Sequence, residues 1–417
     1  MSVTVRRWWR CRLDVESLVV PSVEIAGDEA ARLSAERGRP VTIETTAELV
    51  RAAFDVLSHL RVDGRGADAW APLSGFVRTR DGSVRIHANY PHHAEAIRRA
   101  TGAADRPSLD DVASSWRADD LDAAIVDAGG IATRVRTERE WREHPQGRAT
   151  EDETWVDVRR TESRPVRPAT DAPLDGIRVL DLTRVIAGPS CSQILACLGA
   201  DVLRIDPPQR PEILEQHLAT GMGKRSAIAD LSERGREVRE LARTADVVLL
   251  GYRPGSLDRF GLSPEDLLAD TPSLVVGSLS AWGERGPWGA RQGFDSIVQA
   301  ATGIADVCAR PDGSPGALPV QALDYATGAH LAGRIMGLLA DGSGGLVRAS
   351  LLGAARTLLG RERIAHEEEI PLGVPVVNVS SPHGELLTVP PPLLVDRRTI
   401  ERDVGEYGGA SLAWAGP

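Results

Sequence analysis

The sequence predicts an α/β fold: an open, mostly parallel sheet with helices on both faces, accompanied by a smaller α+β domain. Two observations support this prediction. From residue 174 onwards, short apolar segments alternate with longer amphipathic ones, and strands that alternate with helices form parallel sheets covered on both sides. Upstream, residues 74–88 contain two strand-like runs around Asp81-Gly82, which is typical of an antiparallel hairpin.

The alternation gives a definite order of elements. Strands are predicted at 177–182, 201–205, 226–229, 246–250 and 274–279. Helices are predicted at 190–198, 232–243, 294–305 and 324–340, and another begins after Ser263, with Pro264 in its first turn. In the upstream region, helices are predicted at 46–60, at 93–101 and after Ser108. The proline-rich end of the chain is irregular, with one candidate strand at 385–389.

Four parts of the chain differ in composition and pattern. They are an N-terminal segment expected to pack on the large domain (1–67), a small domain (68–165), a large α/β domain (166–360) and a C-terminal tail (361–417). The stretch 156–173 is polar and contains three prolines. It therefore predicts a linker between the two domains.

Composition and charge exclude several classes of protein. The chain has 49 basic and 59 acidic side chains, a net charge of −10, and an acidic chain without a basic block is not typical of nucleic-acid-binding proteins. No apolar run is long enough to span a bilayer. Asp14 and Glu16 interrupt any signal-like core, so we expect a cytoplasmic protein that does not bind membranes. The four cysteines lack metal-ligand spacing, so we expect reduced thiols and no metal site.

Three loops that follow predicted strands have the features of a nucleotide-like binding site. They are VIAGP (185–189), GYRPG (251–255) and AWGERGP (281–287). In open parallel sheets, ligands bind outside the carboxyl ends of the strands, and a helix N-terminus offers free N–H groups to phosphate. Arg253 and Arg259 are candidate phosphate ligands, and Tyr252 is a candidate partner for adenine. No G-x-G-x-x-G or P-loop pattern is present, so neither a dinucleotide nor a nucleoside triphosphate is indicated.

Five segments between residues 173 and 340 occur in the order and spacing of a known family. They are PLDGIRVLDLTRVIAGPSCSQILACLGADVLRID, GKRSAIADL, ADVVLLGYRPGSLDRFGL, GFDSIVQAATGIA and LPVQALDYATGAHLAGRIMGLLA. Together they resemble the family III CoA-transferases, which include formyl-CoA transferase, carnitine CoA-transferase and α-methylacyl-CoA racemase. The resemblance implies a Rossmann-like large domain and a homodimeric enzyme that moves CoA between an acyl-CoA thioester and a carboxylic acid. Coenzyme A would be a substrate, with no permanently bound cofactor.

The same resemblance assigns roles to site residues. Asp324 corresponds to the aspartate of the family's D-x-x-x-G element, so it would attack the thioester and carry the acyl group as an anhydride. Asp295 would support the site by hydrogen bonding. The CoA-contacting positions of the family correspond to Val185, Ala187, Ala229, Tyr252, Arg253, Arg259 and Phe260. Taken alone, both aspartates could instead be helix N-caps, and His92 and His93 are interpreted as surface or packing residues.

Lys224 is the only lysine in a chain that otherwise uses arginine as its basic residue. It lies in Gly223-Lys224-Arg225, within the second family-like segment. Lysine and arginine are not interchangeable at a phosphate or thioester site. Lys224 is therefore included among the candidate CoA-binding residues, although an arginine-biased composition could also leave one lysine by chance.

The sequence departs from the family pattern in three places. The small domain normally follows the nucleotide-binding half, whereas residues 68–165 resemble that domain and come first, which predicts a circular permutation. Pro207 follows the second strand, where the family often has a basic residue, so Arg210 would have to supply that contact. Phe294 stands where the racemase branch has a histidine.

Two alternative functions remain open. One is an α-methylacyl-CoA racemase or related isomerase, which Phe294 disfavours. The other is a non-catalytic acyl-CoA-binding relative, which the permutation and the missing basic residue would fit. Exchange of the α-proton distinguishes an isomerase from a transferase, and turnover distinguishes both enzymes from a binding protein.

Overall fold

The computed structural model describes residues 7–67, 70–364 and 370–416, and its first part is an N-terminal segment with one long helix. The elements of this segment are α1 (Glu16–Glu36), β1 (Ile43–Glu44), α2 (Ala47–Ala53), α3 (Val56–His59), β2 (Arg61–Val62) and β3 (Arg65–Gly66). The single helix predicted over 46–60 is divided at Phe54 and Asp55. Helix α1, which was not predicted, buries Leu18, Val19 and Val23 in the main core.

The next part contains an antiparallel sheet with its own apolar core. Its elements are β4 (Gly75–Thr79), β5 (Gly82–His87), α4 (Pro91–Thr101), α5 (Arg106–Ser115), α6 (Ala118–Asp127), β6 (Ile131–Arg134), α7 (Glu138–Glu143) and α8 (Pro145–Ala149). The predicted hairpin is confirmed, because β4 and β5 pair with Thr79 opposite Gly82. Helix α5 is capped by Asp105, and Ser108 completes a capping box instead of acting as the N-cap.

The large α/β part follows. Its strands are β7 (Val156–Ser163), β8 (Arg178–Leu182), β9 (Asp201–Asp206), β10 (Arg225–Ile228), β11 (Val247–Leu250), β12 (Val275–Ser280) and β13 (Ser343–Ser350). Its helices are α9 (Ala187–Cys197), α10 (Leu214–Thr220), α11 (Leu231–Arg243), a 3₁₀ helix (Asp258–Phe260), α12 (Pro264–Asp270), α13 (Asp295–Thr302), α14 (Ile304–Val307), α15 (Ala322–Ala340) and α16 (Leu351–Leu359). The five predicted strands are present with shifted ends, and β7, β13, α10 and α16 were not predicted. The helix predicted at 294–305 is divided at Gly303 into α13 and α14.

Within the described ranges, seven strands form the main sheet in the order β10-β9-β8-β11-β12-β13-β7. Strands β8 to β13 are all parallel to one another. Their order is that of doubly wound sheets, in which the chain first runs to one edge and then returns to fill the other. The prediction of a mostly parallel α/β sheet is therefore confirmed.

The outermost strand corrects the linker prediction for residues 156–163, whereas the proline-containing residues 164–173 form an irregular connection. Strand β7 pairs antiparallel with β13, with Val156 opposite Ala349 and Val158 opposite Val347. Val156 and Val158 are half-buried, while most other residues of the strand are exposed. Exposed charged side chains are typical of an edge strand, where they oppose pairing with other molecules. The polar composition that suggested a linker is therefore that of a sheet edge.

The connection from β7 to β8 is held in place by one buried arginine. The guanidinium group of Arg37, at the end of α1, donates to the carbonyl groups of Arg167 and Pro173 at 2.7 Å and of Asp175 at 2.6 Å. Hydrogen bonds to a charged donor are stronger than those between neutral groups. This connection therefore follows a defined path over the N-terminal segment.

The C-terminal tail pairs with the N-terminal segment. Its strands are β14 (Val377–Val379), β15 (Leu386–Thr388), β16 (Leu394–Val395) and β17 (Arg398–Thr399). Strand β15 pairs with β2, and β16 pairs with β1, both antiparallel. The candidate strand at 385–389 is thus confirmed as β15. In the part of the chain that the structure describes, no helix has both the length and the apolarity needed to cross a membrane.

Candidate active site

A cavity of about 300 Å³ opens at the carboxyl ends of the parallel strands. Its wall includes the loops after β8, β11 and β12 and residues at the start of α4. In doubly wound sheets, ligands bind at this edge, where neighbouring strands lead to opposite faces of the sheet. The wall includes five residues predicted to form the site: Val185, Ala187, Tyr252, Arg253 and Asp324.

Asp324 contributes a buried carboxyl group to this cavity. It is the third residue of α15 and is 6% exposed. Gln321 holds the N-cap position, so the alternative interpretation of Asp324 as the cap is wrong. Burial, together with the nearby Asp295, raises the pKa of Asp324 well above its usual range. Once ionised, a poorly solvated carboxylate of this kind is available as a nucleophile.

Asp295 lies behind the cavity wall and binds the backbone of Asp324. It is the first residue of α13 and has no exposed surface. Its Oδ2 accepts the N–H of Asp324 at 3.0 Å, and the side-chain amide of Gln299 donates to its Oδ1. The Gln299 carbonyl oxygen in turn accepts the N–H of Leu318 at 2.9 Å. Burial raises the pKa of Asp295 to about 6. Asp295 thus caps α15 from a neighbouring helix.

The loop after β8 has a strained backbone where it meets the cavity. Val185 has a φ of 70°, a left-handed value that costs a β-branched residue on the order of 1–3 kcal/mol. Its N–H donates to Oε2 of Glu212 at 3.0 Å. That carboxylate also accepts hydrogen bonds from Arg204, at 2.7 Å, and from the hydroxyl of Tyr90. The sequence contains no local signal for this buried network, because its members come from separate elements.

Arginine side chains give the cavity a positive rim. Arg184 is already paired, with nitrogen–oxygen distances of 3.7 Å to Asp206 and 3.6 Å to Glu212. Arg210 and Arg253 also line the cavity, and neither has an ion-pair partner among the described residues. Two unpaired guanidinium groups are suited to an anionic ligand. Pro207 and Arg210 both line the cavity, and the replacement of the family's basic residue by Arg210 stays a prediction.

Three further predicted contact residues do not reach this cavity. Ala229 is buried after β10, and its N–H donates to the carbonyl group of Asp206 at 3.0 Å. Arg259 and Phe260 lie in the 3₁₀ helix, where the guanidinium group is 4.6 Å from the centre of the neighbouring ring. Only a ligand that extends beyond the cavity along the carboxyl edge of the sheet would meet them.

Lys224 also lies outside the cavity, beneath the start of α9. It is 4% exposed, and its amino group donates to the carbonyl oxygen of Pro189 at 2.9 Å and to Oγ of Ser192 at 2.8 Å. The carboxylate of Asp181 lies 3.8 Å from the amino nitrogen. Burial lowers the pKa of Lys224 to about 8. This position supports the helix N-terminus that borders the cavity, instead of offering the amino group to a ligand.

Replacing Lys224 by alanine is expected to lower the free energy of unfolding by about 3–5 kcal/mol, because the buried carboxylate of Asp181 would lose its cation. Arg159→Ala is a matched control: Arg159 is an exposed residue of the edge strand β7, so its removal should change stability by less than about 0.5 kcal/mol. Urea denaturation of both variants measures the difference. Equal, small effects of the two substitutions would indicate that the single lysine is a chance result of the arginine-biased composition.

Residues at the start of α4 complete the cavity and were not predicted as part of the site. Tyr90, His92 and His93 line it. His93 is 3% exposed, and burial lowers its pKa to about 3, so its imidazole is neutral near pH 7. His87 stacks on Phe294, another cavity residue, with 4.1 Å between ring centres. The interpretation of His92 and His93 as surface or packing residues missed this site, because a sequence pattern does not show which elements meet in space.

Potential metal ligands do not cluster in this region. No group of three or more His, Cys, Asp or Glu side chains in residues 7–67, 70–364 and 370–416 is arranged to hold a metal ion. The polar side chains that line the cavity include the Asp324 carboxyl group, the imidazoles of His92 and His93, and arginines.

Comparison with known proteins identifies the family of the part of the chain that contains Asp324. The sequence model of CoA-transferase family III matches residues 174–380. This part of the chain belongs to CoA-transferase family III. The family III region includes all the parallel strands and Asp324, so the resemblance inferred from the five motifs is confirmed.

Three relatives show how much of this chain is similar to proteins of named function. A probable fatty acyl-CoA transferase of Mycobacterium tuberculosis is 37% identical over 182 residues, which are 40% of this chain and 46% of the relative. A succinate–glutarate CoA-transferase of Agrobacterium fabrum is 32% identical over 243 residues, or 52% of this chain and 60% of the relative. A formyl-CoA:oxalate CoA-transferase of Streptomyces coelicolor is 35% identical over 179 residues, 40% of this chain and 43% of the relative. The chain thus spans about half the length of the curated relatives it matches.

A solved structure of a Mycobacterium tuberculosis protein is 36% identical, covers 46% of this chain and 56% of that chain, and has a TM-score of 0.42.

Proposed function

We propose that this protein is a CoA-transferase that moves CoA between an acyl-CoA thioester and a carboxylic acid. The observation that carries the proposal is the position of Asp324. Its carboxyl group is buried, is directed by α15 to a cavity at the carboxyl edge of a family III sheet, and has a raised pKa. Relatives of the chain are named as CoA-transferases, which supports this reaction.

The chemistry proceeds through the Asp324 carboxylate. One of its oxygens attacks the thioester carbonyl carbon, the carbon–sulfur bond breaks, and CoA leaves as a thiolate while an aspartyl anhydride forms. The CoA thiolate then attacks the carbonyl carbon of Asp324, which releases the first acid and leaves an aspartyl thioester. A second acid attacks this thioester to give a new anhydride, and the thiolate finally takes the new acyl group. Asp324 is thereby regenerated.

The surrounding residues suit the nucleotide part of CoA. Arg210 and Arg253 are unpaired at the rim and would bind its phosphate groups, while Tyr252 offers a ring beside them. Val185 and Ala187 bring the N-terminus of α9 to the cavity, where free N–H groups favour an anion. Asp295 would act as a positioning residue, because it binds the N–H of Asp324 and does not reach the cavity.

We expect purified protein to exchange thioesters when it is given a panel of acyl-CoAs and free acids in deuterated water. The panel should include succinyl-CoA with glutarate, formyl-CoA with oxalate, and a fatty acyl-CoA, because relatives are named for these groups. A 2-methylacyl-CoA should keep its α-proton, because Phe294 occupies the position where a racemase has its basic histidine. Mass spectrometry detects both the new thioesters and deuterium at the α-carbon.

The alternative functions give different results in the same assay. Rapid α-deuteration without exchanged thioesters would identify a racemase or isomerase and contradict the proposal. Binding of acyl-CoA without any turnover would identify a non-catalytic relative. The position of His93 in the cavity does not favour the racemase, because a histidine with a pKa near 3 is a weak base at neutral pH.

The proposal includes a circular permutation and a homodimer in the cytoplasm. Support for the permutation is the order of parts: the antiparallel domain precedes residue 174, where the family III match begins. Support for self-association is the set of exposed apolar side chains near the start of the tail, Ile370, Val374 and Val376, since such groups are common at protein interfaces.

A further inference from the structure

Two cysteines that are 297 residues apart in the chain meet beside the main core. The Sγ atoms of Cys11 and Cys308 lie 3.8 Å apart. Cys11 precedes α1, and Cys308 directly follows α14. Both side chains are half-buried, whereas Cys191 and Cys197 are fully buried. The first pair is therefore within reach of a small reagent, and the second pair is not.

Cys11 has the surroundings of a reactive thiol. A hydrogen bond from the Cys308 thiol lowers the pKa of Cys11 below its usual value, and the N–H of Leu13 lies 3.5 Å from the Cys11 sulfur. The thiolate is the form of cysteine that attacks disulfides. Burial raises the pKa of Cys191 and raises that of Cys197 to about 12, so these two thiols are protonated and unreactive.

We propose that Cys11 and Cys308 form a site of reversible disulfide formation that reacts with small-molecule disulfides such as oxidised glutathione. The Cys11 thiolate attacks one sulfur of the small disulfide, which forms a mixed disulfide and releases one small thiolate. Cys308 loses its proton to solvent and attacks Sγ of Cys11, which releases the second small thiolate. Two protein thiols are oxidised, and one small disulfide is reduced to two thiols.

The geometry requires only a short movement. A disulfide bond is about 2.0 Å long, so the two sulfur atoms must approach by about 1.8 Å from their separation of 3.8 Å. Cys11 lies in an irregular segment ahead of α1, so its sulfur can approach Cys308 by rotation of the side chain and a small local shift that involves no residue of a helix. The mixed disulfide on Cys11 would be attacked from a neighbouring position, which favours the intramolecular bond over a lasting adduct.

The bond would join two structures that both contact α15. Cys308 ends the α13–α14 pair, whose first residue, Asp295, binds the N–H of Asp324. Cys11 leads into α1, which packs closely on α15: a Cβ atom added at Gly333 would lie 2.7 Å from a methyl group of Ile25. In a reducing cytosol the thiol form predominates. Under oxidising conditions the bond would hold together the two neighbours of the helix that carries Asp324.

The test uses the full-length protein incubated with oxidised glutathione and digested without reduction. Mass spectrometry should find peptides linked through Cys11 and Cys308, and dithiothreitol should separate them. Cys191 and Cys197 serve as internal controls and should remain free thiols. The oxidised protein should melt on the order of 5 °C higher than the reduced protein, because the bond closes a very long loop of the unfolded chain.

Two variants identify the order of the steps. Cys308→Ser should retain glutathione on Cys11, whereas Cys11→Ser should react slowly at Cys308. Lasting glutathione adducts on the wild-type protein without the linked peptides would overturn the proposal, as would unmodified Cys11 and Cys308 or a bond between two chains. These readouts detect the bond itself, so they do not depend on CoA transfer.

Discussion

Asp324→Asn should lower the turnover number for CoA transfer by at least about 1,000-fold while leaving the affinity for CoA nearly unchanged. The amide has almost the same size as the carboxyl group, but it cannot form an anhydride. Initial rates with the acyl-CoA and acid found in the substrate panel measure turnover, and titration calorimetry measures CoA binding. Asp306→Asn is a matched control, because Asp306 is an exposed aspartate on α14 and should be dispensable.

The covalent intermediate gives an independent readout. Wild-type protein treated with acyl-CoA and then hydroxylamine should carry a hydroxamate on Asp324, because anhydrides and thioesters both react with this nucleophile. The asparagine variant should remain unmodified. Normal turnover by Asp324→Asn would show that another group performs the chemistry.

The same variant should be more stable than the wild type at neutral pH. The pKa of Asp324 is raised above its usual value of 3.8 in the folded protein, so the folded state holds this proton more tightly than the unfolded chain does. Above pH 3.8, ionisation of the unfolded chain therefore favours unfolding, and this cost grows until the folded carboxyl group also ionises. Asparagine has no such cost. Melting temperatures should differ near about pH 7 and converge below about pH 4.

Removing residues 1–170 should abolish folding of the remaining chain. Helix α1 would be lost from α15, and β13 would lose its antiparallel neighbour β7, which leaves an open sheet edge and an uncovered apolar helix. Open edges and apolar faces promote aggregation. Soluble yield and size-exclusion chromatography of the truncated chain, compared with the full-length protein, measure the effect.

Co-expression of residues 1–170 as a separate chain provides the control, because it restores the missing contacts without the covalent connection. We expect it to recover soluble protein. A truncated chain that is stable and fully active by itself would show that residues 1–170 are an independent addition, and would contradict the circular permutation.

The parallel sheet could be predicted because its signals are local. Segments such as Val247–Leu250 are apolar throughout, and Ser263 with Pro264 marks a helix start by side-chain chemistry alone. Elements that depend on a neighbour could not be predicted in this way. Helix α1 contains Pro21 and Gly27, both weak helix formers, and it exists because α15 offers it a close packing surface.

For the site residues, too, prediction succeeded where the signal was local and failed where it depended on neighbouring elements. Arg253 and Val185 could be placed at the cavity because they lie in loops that follow strands, and Asp324 because its motif resembles the D-x-x-x-G element of the family. Sequence gives no sign of which way a lone lysine faces, so Lys224 was placed with the ligand although it bonds the backbone below α9. His93 was missed because only the tertiary structure, which places the start of α4 beside the loops of the main sheet, brings it to the cavity.

The position of Glu212 has a consequence for ligand binding. One carboxylate holds both the strained N–H of Val185, in the sheet domain, and the hydroxyl of Tyr90, beside α4. If the antiparallel domain swings away, Glu212 loses a partner and Val185 loses part of the support for its left-handed backbone. Closure of the cleft and the shape of its wall are therefore thermodynamically linked. A ligand that binds only when Val185 has its left-handed backbone stabilises the closed form. By thermodynamic linkage, the closed form favours binding of that ligand by the same free energy.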